Sequence, residues 1–319
     1  MISYLVTAIG SFAGEVVISG LKKLRAKIVT CDIYPKNWIV NANDADCFYQ
    51  VPKANKTGDY KEAIVAICEK EKIEKIIPLT DIEIDFFNNT RDVFEDKGAQ
   101  VLMSPKEVID ICRNKEKMYK FINDKKIKVN CIPEMDLKKV SKADFPLVCK
   151  PVDGRSSQGL YKIYDNIDWT YFVKKEETEN YIVQKMINGT VVAVDVIRDS
   201  QSHVVVIPRK ELLRTLNGAG TTVEVYPDFE LQDICTKLAN QLRVVGCVCF
   251  EFIRDDEGIY HFLECNARFA GGTKFSSIVG YDCVGNHIRA FEGKTIEPFK
   301  LENSYLIARR YSEYIMEQK

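Results

Sequence analysis

The stretch Cys247-Val-Cys-Phe-Glu251-Phe-Ile-Arg254, the turn Asp255-Asp-Glu-Gly258, and then Ile259-Tyr-His-Phe-Leu-Glu264-Cys-Asn266-Ala-Arg268 decides how this chain is read. Two runs rich in β-branched and aromatic residues flank four turn-forming residues, a pattern that predicts a hairpin. Folding back at that turn brings Glu251 and Glu264 face to face near the far end of the pair. Asn266 lies two residues beyond Glu264 and so shares its side of the strand. Two carboxylates and an amide oxygen are hard ligands of the kind Mg²⁺ takes together with phosphate oxygens. Arg268, two residues further, is placed to steady a transferring phosphoryl group. The plainer alternative is a pair of solvated strand acids with Arg268 as their ion partner. Phe250, Phe252, Phe262 and Leu263 around them argue against full exposure.

Upstream lies Phe145-Pro-Leu-Val-Cys-Lys150-Pro-Val-Asp-Gly154-Arg-Ser156-Ser157-Gln-Gly159, an apolar strand that delivers one lysine to a loop of small residues. A lysine offers a compact positive charge to nucleotide phosphates, and a loop with little side-chain bulk can present backbone N–H groups to them. It is not a Walker A loop, since no lysine follows its second glycine. Alone, it reads equally well as a hairpin turn with a surface lysine.

The first hundred residues alternate strand and helix. Tyr4–Ile9 is an apolar run, and from Ala13 the apolar positions Val16, Val17, Leu21 and Leu24 fall at helical spacing. Strands are expected at 27–31, 75–79 and 99–103, with a helix over 60–71. Such alternation implies a parallel sheet covered on both faces. Gly10-Ser-Phe-Ala-Gly14 with Asp32 downstream is close to a dinucleotide-binding start, but Phe12 stands where that fingerprint needs its second glycine. A glycine turn entering a helix is sufficient. Further on, Ser104-Pro105 opens a helix with proline in its first turn, and a basic helix runs from 115 to 124. A helix over 228–245 carries Leu231, Ile234, Leu238 and Leu242 on one face. No internal repeat or low-complexity linker interrupts the chain, so its parts are expected to pack closely.

Composition narrows the class. At 319 residues the chain has room for about two domains. With 45 Lys and Arg against 46 Asp and Glu, the net charge of −1 speaks against a binder that relies on bulk attraction to nucleic acid. No apolar run reaches the roughly 18–20 residues needed to cross a bilayer, and the first ten residues read as a strand, not as a signal peptide. Eleven cysteines, an odd number without a C-x-x-C, read as reduced core residues in a cytoplasmic protein. His203, His261 and His287 are isolated from any second zinc ligand.

Together, the lysine strand with its glycine-rich flap and the acid, then E-x-N-x-R, strand pair resemble the ATP-grasp superfamily. The two acids stand thirteen positions apart, in keeping with that pattern. The likeness is greatest to carbamoyl-phosphate-synthase-like and pyrrolysine-biosynthesis-type carboxylate–amine ligases, and it covers nearly the whole chain. Pro78-Leu-Thr-Asp81-Ile-Glu83 looks like the closing strand of their first domain. Arg113-Asn-Lys115 looks like the start of their central domain, and Gly271-Gly272 and Gly280-Tyr-Asp282 resemble the segment just beyond their metal strand.

The resemblance implies an α/β chain, α+β in its C-terminal part. A Rossmann-like pre-ATP-grasp domain over 1–107 would precede a two-lobed ATP-grasp fold. Its small lobe with the flap would span 108–187, and its large lobe with the Mg²⁺ and substrate site 188–319. It further implies that Lys115 and Lys150 contact ATP phosphates beneath a flap containing Gly154, Ser156, Ser157 and Gly159. Gln184, Lys185, Met186 and Ile187 would form the adenine hinge. Glu251, Glu264 and Asn266 would hold Mg²⁺, for which Mn²⁺ can substitute. Arg268, with Lys150, would carry the phosphoryl chemistry, and Arg209 and the 217–221 loop would line the acceptor side; an exposed strand charge is the alternative for Arg209. Asp195 fits an acid seen in the family, or a capped strand end. The chain departs from the pattern at Lys185, where relatives often carry glutamate, at Val191, near the expected second acid, and at Ala267, which replaces proline. The activity implied is ATP-dependent joining of a small-molecule carboxylate to an amine. Bicarbonate or carbamate chemistry and a non-catalytic ATP-binding regulator are the alternatives. No nucleic acid or membrane partner is expected, and a homodimer is compatible with the likeness.

Overall fold

A computed structural model describes residues 1–141, 144–152, 154, 158–216 and 218–318. Its first hundred residues form a parallel sheet from β1 (Ser3–Val6), β2 (Lys27–Asp32), β3 (Cys47–Gln50), β4 (Lys75–Ile77) and β5 (Gln100–Val101), in the order β3-β2-β1-β4-β5. Helices α1 (Gly14–Lys23), α2 (Thr57–Glu71) and α3 (Asp81–Glu95) make the crossovers. β1, β4 and β5 are shorter than their apolar runs suggest, while β2 runs one residue past the expected 27–31. β1 ends at Val6 because the chain then turns, with the Ser11 N–H donating to the Ala8 carbonyl. The backbone of β5 pairs only with β4, at the sheet's edge.

Next come α4 (Lys106–Cys112) and α5 (Lys115–Asp124). Pro105 sits one position before α4 rather than inside its first turn. Asn114 caps α5 by accepting from the Lys117 N–H at 2.9 Å. A short strand β6 (Asn130–Cys131) comes after it. Then a three-stranded antiparallel sheet, β8-β7-β9, forms from β7 (Leu147–Pro151), β8 (Tyr161–Ile163) and β9 (Tyr181–Lys185), with α6 (Asn166–Lys175) packed against it through Phe172.

The largest sheet has the order β15-β12-β11-β10-β13-β14-β6. It contains β10 (Gly189–Arg198), β11 (Val204–Arg214), β12 (Gly220–Val225), β13 (Gly246–Asp255), β14 (Tyr260–Asn266) and β15 (Tyr305–Ala308). β6 pairs with β14 in parallel, so residues 130–131 extend the large sheet rather than the small one. Helix α7 (Phe229–Leu242) buries Leu231, Ile234, Leu238 and Leu242, as their spacing requires. Helices α8 (Thr273–Ile278) and α9 (Cys283–Phe291) return the chain to the N-terminal sheet.

The parts share cores. One apolar cluster runs from Leu5, Phe87 and Phe94 through Met118 and Ile122 to Val194, Phe250 and Phe262. A second joins Tyr4, Val17 and Leu21 to Phe269, Phe275, Val284 and Ile288. All eleven cysteines are unpaired and nine are buried, the use of cysteine as a small core residue. No helix among the described residues is long and apolar enough to cross a membrane.

Candidate active site

β13 and β14 place Glu251 directly opposite Glu264, and they do so by means of a bulge. From the turn outward the pairs are Arg254–Tyr260, Ile253–His261 and Phe252–Phe262, and continued counting would set Leu263 against Glu251. A register shift between Glu251 and Phe252 skips one residue and brings Glu264 there instead. Asn266 lands on the same side, and its Nδ2 donates to Glu251 Oε1 at 3.0 Å.

Two cations close this cluster loosely. Arg214 Nη2 lies 3.6 Å from Glu251 Oε2, and Lys115 Nζ lies 3.6 Å from Glu264 Oε2. Burial and the facing Glu264 carboxylate push the Glu251 carboxyl well above the usual carboxylate range. Two acids that repel each other, with an amide beside them and cations only at the edge, fit a hard divalent cation. Among the described residues no three His, Cys, Asp or Glu side chains gather to hold a metal. The set therefore offers two carboxylates and one amide oxygen, and phosphate oxygens or water would have to complete it.

Lys115 links the acids to the small sheet. Its Nζ donates to the Gly154 carbonyl at 3.2 Å, and its N–H to the Val152 carbonyl at 3.4 Å. Lys150, on β7, is buried and lies in the field of both Lys115 and Glu264. Burial first, then the Lys115 charge, lowers its ammonium to about 8, with Glu264 opposing. Gly159 adopts φ +70°, which suits the tight return of the loop after β7. Ser156 and Ser157 of the expected flap, with Arg155, lie outside the described residues, as does Asn217.

The expected hinge runs along the end of β9. The Met186 N–H donates to the Pro146 carbonyl at 3.0 Å, so backbone groups of Lys185, one residue earlier, point away from β7. The Gln184 side chain is spent inside, its Nε2 donating to the Ile132 carbonyl at 2.6 Å.

Arg268 and Arg209 occupy settings that motif reading did not foresee. Arg268 forms a two-pronged pair with Asp81 of α3, Nε to Oδ1 at 2.9 Å and Nη2 to Oδ2 at 2.7 Å, and its Nη2 also donates to Asn266 Oδ1 at 3.3 Å. A helix of the N-terminal domain thus grips the arginine. Arg113 and Asp85 repeat the arrangement one turn away, with Nε to Oδ1 at 2.7 Å. Arg209 is not an exposed strand charge: it is fully buried, with Nη1 2.8 Å from Asp195 Oδ2. Asp195 is no strand-end cap either. It sits in the middle of β10 and accepts from the Ser276 hydroxyl at 2.7 Å. Glu211 lies beside Arg209 and is 2.6 Å from Arg214 Nε, so alternating charges run from Asp195 through Arg209, Glu211 and Arg214 to Glu251. Asp81 stood in the Pro78–Glu83 stretch without a role assigned to it. Glu211 and Arg214 had no motif of their own, and their one signal was a run of charged residues on β11 next to a glycine-containing loop.

The profile of the ATP-grasp domain matches residues 112–272, which hold this cluster except for Asp81, Asp85 and Ser276. The chain belongs to the ATP-grasp family. Ahead of its ATP-grasp region, residues 5–102 match the PylC-like N-terminal domain. A carbamoyl phosphate synthase large chain from Clostridium acetobutylicum is 23% identical over 260 residues, covering 75% of this chain and 24% of that relative. The chain thus spans about a quarter of the length of this curated relative. Among solved structures, biotin carboxylase from Campylobacter jejuni with β,γ-ATP superposes with a TM-score of 0.77 at 19% identity, over 93% of this chain and 72% of that one. The biotin carboxylase domain of 2-oxoglutarate carboxylase from Hydrogenobacter thermophilus, a dimer described with MgADP, ADP and bicarbonate, gives 0.74 at 19%, over 92% and 70%. These likenesses establish the ATP-grasp architecture.

Proposed function

We propose that this ATP-grasp protein is an ATP-dependent ligase that activates a carboxylate as an acyl phosphate for attack by an amine. The observation that carries the reading is the junction itself: Glu251, Glu264 and Asn266 on the large sheet, Lys115 reaching both Glu264 and Gly154, and Lys150 of the small sheet in the field of Lys115 and Glu264. Lys115 and Lys150 neutralise ATP phosphates under the flap that Gly154 and Gly159 bound and to which Ser156 and Ser157 belong. The hinge Gln184–Ile187 receives adenine through backbone groups of Lys185 and its apolar neighbours. Mg²⁺ or Mn²⁺, when held by Glu251, Glu264 and Asn266, supplies positive charge against the phosphate oxygens.

A substrate carboxylate oxygen attacks the γ-phosphorus, the bond to the β–γ bridging oxygen breaks, and ADP leaves. A neutral amine then attacks the acyl carbon. The C–N bond forms, the C–O bond to phosphate breaks, inorganic phosphate departs, and the surplus amine proton passes to solvent. Arg268, fixed in direction by Asp81, offers charge to the phosphoryl oxygens in both steps. Arg209 orders the acceptor side through Glu211 and Arg214. Closure of the flap excludes the water that would hydrolyse the mixed anhydride. The proposal includes a domain order of 1–107, 108–187 and 188–319, a cytoplasmic setting that keeps the thiols reduced, and a homodimer as the assembly to be tested by sedimentation.

The names of the relatives favour one second reading, in which bicarbonate replaces the organic carboxylate. Phosphate release from Mg-ATP separates the two. Pooled carboxylates are supplied with and without amines, bicarbonate forms its own pool, and Glu264→Gln runs beside wild type. Release that requires both a carboxylate and an amine, and that is lost in the variant, is the expected result. Release with bicarbonate alone selects the second reading. An unimpaired Glu264→Gln sinks the metal assignment.

A further inference from the structure

The roles above leave an opening in the N-terminal domain unused. In its sheet the winding reverses between β1 and β4, and the loops leaving those strands part at their carboxyl ends. Open parallel sheets take ligands at such reversals. A cavity of about 780 Å³ lies there, lined in part by Ser11, Asp32, Tyr34, Trp38, Tyr60 and Glu83, and its size is that of a small-molecule site.

Two of the lining groups are carboxylates withdrawn from water: Asp32 is 6% exposed and Glu83 5%. Their partners are neutral. Asp32 accepts from the Gly10 N–H at 2.9 Å and the Tyr34 N–H at 3.2 Å. Glu83 accepts from the Tyr60 hydroxyl at 2.8 Å and the Thr80 hydroxyl at 2.7 Å. Among the described ion pairs, none reaches either acid. Buried acids normally meet a positive charge. At the rim Tyr34 and Trp38 stack with ring centroids 6.0 Å apart, and both are largely exposed. Aromatic faces of this kind attract organic cations. Among the described lining residues Lys53 is the one cation, and a phosphate would still face both acids.

We propose that this cavity binds an organic ammonium of amino-acid size, one of the two ligase substrates, held through a primary amine against Asp32 and Glu83. The proposal rests on the ligase reading for the word substrate, and on the cavity alone for the charge. An ammonium paired with a carboxylate keeps its proton, so this amine is an anchor and not the nucleophile. The reacting end lies elsewhere on the molecule. It has a short way to go, because Thr80, Ile82 and Glu83 line the cavity while Asp81 between them grips Arg268.

The test uses the chain's own fluorescence. Its two tryptophans are Trp38, at the cavity mouth, and Trp169, on the small lobe, so Trp169→Phe leaves one reporter. This protein is titrated, without ATP and at fixed ionic strength, with n-butylamine hydrochloride, n-butanol and sodium butyrate up to about 50 mM, a range suited to fragment affinities. The amine is expected to give a saturable change, the alcohol to bind at least about tenfold more weakly, and butyrate to give none. Asp32→Asn and Glu83→Gln should each weaken the amine by about tenfold, while Glu264→Gln leaves it unchanged. If Asp32→Asn does not fold, Glu83→Gln carries the comparison. Equal binding of amine and alcohol, a preference for butyrate, indifference to both acid variants, or no saturable response overturns the proposal. Because no ATP is present, a failed titration alongside amine-dependent phosphate release condemns the cavity alone. A successful titration without such release condemns the ligase reading alone.

Discussion

Lys150 is held out of water beside a second ammonium, and among the described residues only the Glu264 carboxylate opposes the loss of its charge. Its ammonium, lowered from 10.5 to about 8, binds its proton less tightly when folded than when unfolded. The associated stability is complete above pH 10.5, falls as pH drops towards 8, and stays lost below that. At neutral pH the penalty is on the order of 3 kcal/mol. Lys150→Met should therefore raise the melting temperature of the nucleotide-free protein, by an amount equivalent to about 1–3 kcal/mol. The same variant should bind ADP at least about tenfold more weakly, since a polyphosphate is the partner the lysine lacks. Calorimetric melting and ADP titration check both halves, and a destabilised variant with normal ADP binding would refute the assignment. The lysine and both glutamates were legible in the sequence because each sits in a strand–loop pattern only a few residues long. Asp81 was not legible as the holder of Arg268, since 187 positions separate them and only the folded chain brings them together.

Elements with a strong internal pattern were read well. Helix α5 was expected and found at residues 115–124, where Asn114 caps a stripe formed by Met118 and Ile122. The strands β6 and β15 escaped notice, for their pairing partners β14 and β12 supply the order that two or four residues cannot supply alone. The bulge on β14 was equally silent, as one skipped residue leaves alternation intact on either side. At this scale Gly272, the N-cap of α8, has a definite duty. A Cβ there would lie 2.4 Å from Arg209 Nε, and the buried, ion-paired guanidinium has little room to yield. Gly272→Ala should cost about 1–3 kcal/mol in urea unfolding, the range of an overpacked core. Helix α9 carries an acid-sensitive group. His287 packs between Phe269 and Phe291, and its Nδ1 accepts the Cys247 N–H at 2.9 Å. Burial lowers it to about 3, so the folded protein refuses a proton that the unfolded chain takes up below about 6.5. Stability is full above pH 6.5 and falls as pH drops towards 3, by about 1.4 kcal/mol per pH unit. Urea unfolding at pH 7 and pH 5 should differ by about 2 kcal/mol from this group, and the difference should shrink in His287→Gln.

Across the whole molecule the N-terminal domain is joined to the ATP-grasp region in several places. Gly20 of α1 faces Val284 of α9 so closely that a Cβ would fall 2.5 Å from the valine Cβ. Phe12 meets the Arg309 guanidinium at 5.0 Å, and the Ser104 hydroxyl donates to the Val245 carbonyl at 3.0 Å. With two apolar clusters crossing the junction, both parts should unfold in one calorimetric transition. Gly20→Val forces α1 from α9 and should cost about 1–3 kcal/mol. ADP affinity should hold within about twofold, because the proposed nucleotide site lies between the other two sheets. Separate transitions in wild type would show the junction to be weaker than its contacts imply. Close packing was anticipated from the lack of any linker, yet no periodicity announced which glycine would carry the contact.

The scattered thiols offer something besides packing. Sheet by sheet they report independently: Cys31 from the first, Cys149 from the small one, next to Lys150, and Cys249 and Cys265 from the largest, behind the paired glutamates. Each of these four is unreactive while covered, and burial pushes the Cys149 thiol up to about 12. Timed alkylation read by mass spectrometry would turn them into built-in clocks of local opening. The protein as it stands could then show which of its three sheets breathes, and whether nucleotide slows the Cys149 clock before the others.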